Sequence, residues 1–248
     1  MKLLHVQFQA YTATFKMPNI NSGTMVSIPV PLYSTIVGII SSCMGRELQR
    51  DETKIGFKYS YENKGKDLET THRLKYDGGL LKQNSENSVT AREFHIKPIL
   101  DIYLSNLNLK EYFLNPVWTP SLGRSQDVAW ITKIEEIDAE NITNGKIKAT
   151  LVPIDSLKGK TVPGRLIQAT DYYYNYDCEN SKKYGYGHNR TFETPQIYIA
   201  TPHSKKGIDI EMDNLYQINT TYNDDGNTTN IEIVSDNEVI YLHKLGGY

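Results

Sequence analysis

Apolar and polar side chains alternate at the start of the chain. The sequence LHVQFQA over residues 4–10 has the period of two that is typical of a strand with one face buried. A first strand is therefore predicted over these residues.

A helix is predicted shortly afterwards. Pro29 and Pro31 keep the chain extended and prevent a helix from starting before Ser34. Ser34 or Thr35 can cap the helix, the residues that follow are apolar on most sides, and Gly45 offers a stop. This pattern is typical of a helix packed on a sheet.

Residues 62–88 interrupt the apolar pattern. They are polar, contain four lysines and one arginine and have few apolar side chains that could anchor them in a core. We expect this segment to be an excursion from the core.

The remaining patterns set the predicted fold class. Strands are predicted over residues 55–61, 96–104, 128–137 and 146–153, with a short helix over 107–114. The order strand, helix, strand, strand, helix, strand indicates an α+β, ferredoxin-like or RNA-recognition-motif-like core over residues 1–153. Further strands over 196–200, 208–218 and 231–242 predict a β-rich C-terminal region over residues 154–248.

Charge and composition narrow the class of protein. The 248 residues carry 27 basic and 29 acidic side chains, a net charge of -2, but residues 205–248 hold 3 basic and 8 acidic ones. The first 204 residues thus carry a small positive excess, compatible with a phosphate-binding face or with an ordinary solvated surface. No run approaches the ~20 apolar residues of a membrane span, so we expect a cytoplasmic protein without membrane contact. Cys43 and Cys178 form no CxxC pair, which predicts neither disulfides nor a zinc site.

Motifs of metal and nucleotide enzymes are missing from the sequence. There is no GxSxG elbow, P-loop, HExxH or GxGxxG, and we expect no cofactor. Metal-independent RNA cleavage stays open, because a histidine can act as base on the ribose 2′-hydroxyl while a cation stabilises the phosphate. The three histidine–cation pairs of suitable type are His72 with Lys75, His95 with Lys97, and His188 with Arg190.

The segment LGRSQD over residues 122–127 has two interpretations of equal weight. Gly123 lets a ligand approach the backbone, Arg124 can fork onto a phosphate, and Ser125 and Gln126 add neutral donors. The other interpretation is a capped turn that leads into the strand at residue 128.

Three stretches together resemble a known family. They are residues 4–15, the run PVPLYSTIVGII over 29–40, and the REF sequence at 92–94 followed by a strand, Asn115-Pro116 and LGRS at 122–125. These stretches resemble CRISPR-associated protein family five, the subunit of type I interference complexes (Cascade) that holds the 5′ end of the guide RNA. The resemblance is closest to the type I-B branch and covers roughly residues 4–131.

The resemblance implies a fold, partners and a binding face. The fold would be a recognition-motif-like core with a projecting thumb at about residues 62–88, and the partners would be the guide RNA, the backbone subunits and the large subunit, with target DNA reached indirectly. No catalytic residue, cofactor or metal is expected. The residues expected to bind RNA are Lys16, Gly38, Arg46, Arg73, Lys75, Arg92, His95, Lys97, Arg124, Ser125, Gln126, His188 and Arg190.

Two alternatives stay open. One branch of the family processes the repeat RNA with a Tyr, Lys and His set, so His95 or His72 would be the base here, although the adjacent Lys-His of that branch is missing. The other alternative is a protein-interaction module whose surface is formed by the tyrosines of residues 172–176.

Overall fold

The computed structural model has a mixed fold that is mostly β, with antiparallel sheets. It describes residues 1–18, 24–83, 88–157, 159, 161–175, 190–192, 194–202, 207–219 and 237–246. The strands are β1 (Lys2–Ala10), β2 (Thr12–Ala13), β3 (Lys54–Ser60), β4 (Asn63–Thr71), β5 (Leu74–Asp77), β6 (Leu80–Gln83), β7 (Ser88–Ile96), β8 (Ile99–Leu104), β9 (Ala129–Ile147), β10 (Leu151–Pro153), β11 (Arg165–Ala169), β12 (Tyr173–Asn175), β13 (Arg190–Phe192), β14 (Gln196–Ala200), β15 (Ile208–Asn219), β16 (Asn237–Tyr241) and β17 (His243–Lys244). The α-helices are α1 (Tyr33–Met44) and α2 (Lys110–Leu114), and 3-10 turns cover Leu107–Leu109 and Ile154–Leu157.

A seven-stranded antiparallel sheet organises the molecule. Its strand order is β16-β15-β9-β1-β8-β3-β17, so strands from the C-terminal region form both edges. β10, β14 and β11 form a smaller three-stranded sheet, and β12 pairs with β13. The predicted boundary near Pro153 therefore does not separate two sheets, because β15 pairs directly with β9.

Helix α1 covers one face of the sheet. Its apolar side chains, among them Ile36, Val37 and Ile40, are buried in the same cluster as Val6 and Phe8 of β1. Burying such a face supplies most of the stability of a helix of this length. The predicted helix is confirmed, as is the stop at Gly45, which takes a left-handed φ of 69°.

The start of α1 differs from the expectation. The N-cap position is Leu32, which makes no side-chain capping hydrogen bond, and Ser34 lies inside the first turn. The proline before Leu32 holds the chain extended up to the helix, and burial of the apolar face compensates for the missing cap.

Strand β9 runs further than the sequence pattern indicated. Two strands were predicted over 128–137 and 146–153, whereas β9 continues for 19 residues and β10 begins at Leu151. The polar second half of β9 stays extended because β15 pairs with residues 139–147, with a register shift between Glu211 and Leu215. That partner is distant in sequence and gives no local signal.

Candidate nucleic-acid interface

The predicted excursion is a long β-hairpin that projects from the sheet. β4 and β7 pair over nine residues, and β5 and β6 form the tip. Asp77 pairs with Leu80 across Gly78 and Gly79, whose φ angles of 61° and 82° suit a two-residue hairpin turn. The side chains of β5 and β6 are exposed throughout. We call residues 61–83 and 88–97 the projecting hairpin.

The tip of the projecting hairpin has two different faces. Side chains alternate along each strand, so Tyr76 and its cross-strand neighbour Leu81 share one face. Lys75 and Lys82 are paired on the other face, where Lys82 Nζ lies 3.0 Å from the carboxylate of Asp77. An exposed ion pair of this kind contributes little to stability, so the lysines stay available to a ligand.

Arg73, Lys75 and His72 all lie in the exposed tip region. Arg92 lies on β7, where its Nε donates to Glu69 at 2.7 Å. Lys97 ends the hairpin and its Nζ donates to Glu62 at 3.0 Å. The hairpin thus brings together these predicted residues, two of them already paired with carboxylates.

His95 lies inside the protein at the root of the hairpin. Its side chain is fully buried, stacks on Tyr61 with ring centroids 3.9 Å apart, and has Nδ1 2.7 Å from the hydroxyl of Tyr59. Burial, with a smaller contribution from Lys64, lowers the pKa of His95 to about 3. The prediction that His95 contacts RNA is therefore corrected, because RNA cannot reach a fully buried ring.

The segment 122–127 is a turn locked by an internal ion pair. Arg124 donates to both carboxylate oxygens of Asp127, at 3.0 and 3.1 Å, and Thr12 donates to the same carboxylate at 2.6 Å. Burial opposes the charge of Asp127, but these hydrogen bonds outweigh it and lower the pKa of Asp127. The fork of Arg124 is thus occupied within the chain, as the capped-turn interpretation expects, while Ser125 and Gln126 are exposed beside it.

Gly123 has a structural reason of its own. Its φ is 115°, and a Cβ at this position would collide with the backbone carbonyl oxygen of Thr14. The glycine is therefore required by the close approach of two backbone segments and not by a ligand.

Residues predicted near helix α1 are spread over different surroundings. Arg46 donates to Glu52 at 2.9 Å and lies over the ring of Tyr112. Hydrogen bonding to Glu52 raises the pKa of Arg46 further above its ordinary value. A Cβ added at Gly38 would lie 3.7 Å from the hydroxyl of Tyr173, which is an ordinary contact distance. The packing therefore does not require a glycine at this position. Lys16 is exposed and pairs through its backbone with Ser27.

Two of the tyrosines that were predicted to form a partner surface lie inside the protein instead. Tyr172 is 1% exposed and donates from its hydroxyl to the carbonyl of Leu48 at 2.6 Å, and Tyr173 is buried as well. This removes both side chains from a partner surface. Tyr176 and His188 lie outside the described residues, and Arg190 is described by its backbone alone.

One polar cluster on the sheet was missed by the sequence interpretation. His5 contacts Asp101 through Nε2 at 2.8 Å and Glu135 through Nδ1 at 2.9 Å. Burial alone would lower the pKa of His5, but the two carboxylates outweigh it and raise that pKa. The polar residues of the β1 alternation were the only local signal, and both carboxylates come from strands distant in sequence.

The described part of the chain offers no candidate for a metal site or for a membrane-spanning helix. No group of three or more histidine, cysteine or acidic side chains there is arranged to hold a metal ion. Within the same residues, every helix is too short or too polar to cross a bilayer.

Solved structures share the fold of this chain at low sequence identity. A chain of the Type III-B Cmr-beta complex bound to cognate target RNA and AMPPnP is 9% identical, with a TM-score of 0.51 over 85% of this chain and 86% of that chain. A chain of a CRISPR RNA-guided surveillance complex is 14% identical, with a TM-score of 0.49 over 80% and 90%. A CRISPR protein from Archaeoglobus fulgidus is 8% identical, with a TM-score of 0.46 over 99% and 100%. No family model and no curated protein matches the sequence. At 9% identity, the match to the Cmr-beta chain, with a TM-score of 0.51, shows a shared fold alone.

Proposed function

We propose that this chain is a non-catalytic subunit of a type I CRISPR interference complex (Cascade) that binds and caps the 5′ handle of the guide RNA. In that role it also helps to dock the large subunit and the backbone subunits for recognition of double-stranded target DNA. The motifs at residues 29–40, 92–94 and 122–125 support the family at the level of sequence.

The observation that carries the proposal is the projecting hairpin. It extends from the sheet as a paired ladder, and its basic side chains at residues 73, 75 and 82 lie at the exposed tip. Exposed cations on a projecting ribbon suit contacts with phosphates, which supply most of the affinity of proteins for nucleic acid.

The order of the strands supports a recognition-motif-like core. Within the large sheet, β9, β1, β8 and β3 are adjacent in that order, with α1 between β1 and β3 and α2 between β8 and β9. This is the arrangement expected of two split βαβ units. Such a core leaves one sheet face open while the helices cover the other.

The shared fold is consistent with this role. The Cmr-beta structure that resembles this chain is described as bound to cognate target RNA. In guide-RNA complexes base pairing reads the sequence while proteins bind the backbone and its shape, so a capping subunit needs no active site.

The processing endoribonuclease is the second candidate, and the burial of His95 weighs against it. His72, exposed in the hairpin, is the remaining described histidine of the three pairs considered. A nuclease site around His72 would need His72 as the base and a cation that stabilises the phosphate, both in contact with the same RNA substrate.

The test is a binding and cleavage assay of the full chain with an RNA that matches the repeat-derived 5′ handle and with a scrambled RNA. The capping role predicts selective binding that weakens steeply between about 50 and about 200 mM salt, without cleavage in EDTA. Metal-independent cleavage lost in His72→Ala would assign the nuclease instead. Absence of salt-sensitive binding would contradict the proposal.

A further inference from the structure

A cavity of about 470 Å³ lies at the root of the projecting hairpin. The ends of β1 and β3 and the starts of β8 and β9 meet there. The volume lies within the range of small-ligand pockets, roughly 300–1,000 Å³. These strand ends surround the cavity and leave it open.

Two exposed aromatic side chains stand at its rim. Tyr11 is 79% exposed and Trp130 is 40% exposed, and their ring centroids lie 5.1 Å apart at an interplanar angle of 57°. Large rings are usually placed where they bury area, so two neighbouring rings left in solvent at a cavity mark a contact surface. Both side chains line the cavity.

The back wall of the cavity is held rigidly. Tyr61 lines it and stacks on the buried ring of His95, which in turn is hydrogen-bonded to Tyr59. A side chain supported by packing and hydrogen bonding from behind keeps one orientation before a ligand arrives. The buried histidine thus positions an aromatic wall.

Lys97 occupies the rim in an unusual conformation. Its φ is 48°, a left-handed value uncommon for a residue with a side chain, and Pro98 follows it. Its backbone N–H donates to the carbonyl of Tyr11 at 2.9 Å, which fixes the end of β1. Strained residues of this kind concentrate at binding sites. Here Lys97 lies beside the aromatic pair, and its Nζ donates to the exposed Glu62, which lines the same cavity, at 3.0 Å, so a phosphate would compete with that carboxylate for the cation.

We propose that this cavity binds one unpaired nucleobase of single-stranded RNA, stacked on Trp130 or Tyr11, with Lys97 beside its phosphate. The amide of Gln9 and the hydroxyl of Ser60 line the same cavity and can bond the edge of a base. Aromatic faces with an adjacent cation are the combination that single-strand binders use. The inference rests on the proposed function, since it names the part of the RNA that this site holds.

Tryptophan fluorescence tests the stacking directly, because the chain has two tryptophans. The Trp118→Phe variant keeps Trp130 as the reporter, and the matched Trp130→Phe variant keeps Trp118. Each is titrated with an unstructured RNA of about twelve nucleotides, within the site size of single-strand binders. Quenching in the first variant and none in the second is the expected result.

Affinity gives the second readout. Trp130→Ala should weaken binding of the same RNA by roughly 5- to 100-fold, the range of one base–aromatic stack. With the unmodified protein, a scan of single abasic sites along that RNA should show one position with a comparable loss. This scan needs no variant, so it stands even where Trp130→Ala does not fold.

The outcomes separate this inference from the proposed function. Salt-sensitive RNA binding with an unresponsive Trp130 and a flat abasic scan would overturn the stacking site and leave the capping role standing. A chain that binds neither this RNA nor the handle RNA would overturn both.

Discussion

Charged residues serve different purposes in the body of the protein and in the projecting hairpin. In the body of the protein, Asp127 and Asp171 are 1% exposed and each carboxylate is held by hydrogen bonds. In the hairpin tip, Lys75 is exposed and Asp77 and Lys82 form a pair in solvent. Buried charges without partners are costly, so the first set is committed to folding, whereas the second set can bind a ligand.

The largest effect on stability is expected when a buried carboxylate is removed. Asp171 accepts from Gly246 N at 2.9 Å and lies 2.9 Å from Nε2 of the buried His243. Asp171→Ala leaves both groups without this partner, so we expect a loss of about 3 kcal/mol in the free energy of unfolding. Urea denaturation at neutral pH measures it.

Asp77→Ala in the hairpin is the matched control. The carboxylate of Asp77 pairs with Lys82 in solvent, so its loss should change the free energy of unfolding by less than about 0.5 kcal/mol. Equal losses in the two variants would contradict the division between buried and exposed charges.

A second contrast uses two glycines with positive φ. Gly123→Ala adds a methyl group that collides with Thr14, whereas Gly78 at the hairpin turn has open space around it. Both substitutions force a side chain into a left-handed conformation, which costs about 1–2 kcal/mol, and only the first adds a steric clash. We expect Gly123→Ala to be the more destabilising in thermal unfolding, with a total loss of about 3 kcal/mol.

A smaller effect, the dependence of stability on pH, should differ in sign between His95 and His5. The pKa of His95 is lowered to about 3 from 6.5, so the unfolded chain binds a proton that the folded chain does not. Its contribution is present above pH 6.5 and is lost as the pH falls, by about 2 kcal/mol from pH 6.5 to about 5. The pH dependence of stability should therefore flatten by that amount in His95→Gln.

His5 should behave in the opposite sense. Its pKa is raised by Asp101 and Glu135 against the effect of burial, so the folded state binds the proton more tightly. That stabilisation is full below the unfolded pKa of 6.5 and is lost as the pH rises through the folded pKa. Urea titrations of His5→Gln across the same pH range check the sign, and a change in the direction seen for His95→Gln would refute it.

Local patterns predicted those parts of the fold that depend on nearby residues. The first strand, α1 with its stop at Gly45, and β14 follow from periodicity and from glycine, and the structure confirms them. The hairpin was predicted as a polar excursion, but its strands were not, because side chains exposed on both faces give no alternation. The continuous β9 was missed because β15 supplies its partner from far along the chain.

Side-chain roles were harder to predict than strands. A histidine beside cations in the sequence suggested an RNA contact for His95, but tertiary packing buries it between Tyr59 and Tyr61. The pair of Tyr11 and Trp130 is formed by residues more than a hundred positions apart and has no local motif. Both results depend on how distant strands pair, which one sequence does not reveal.

The smallest effect is expected when the charge of an exposed lysine in the projecting hairpin is reversed. Lys75→Glu changes an exposed charge, so the free energy of unfolding should stay within about 0.5 kcal/mol of the unmodified protein. If Lys75 contacts a phosphate, the slope of log affinity against log salt should fall by about one unit.

The control is Lys244→Glu, which makes the same change of charge at an exposed lysine on edge strand β17, away from the hairpin. Fluorescence anisotropy with the handle RNA compares the two variants. A slope reduced only by Lys75→Glu localises the phosphate contact to the hairpin, whereas equal changes would mean that RNA senses only the net charge of the chain, and the exposed charges of the hairpin would then have no special role.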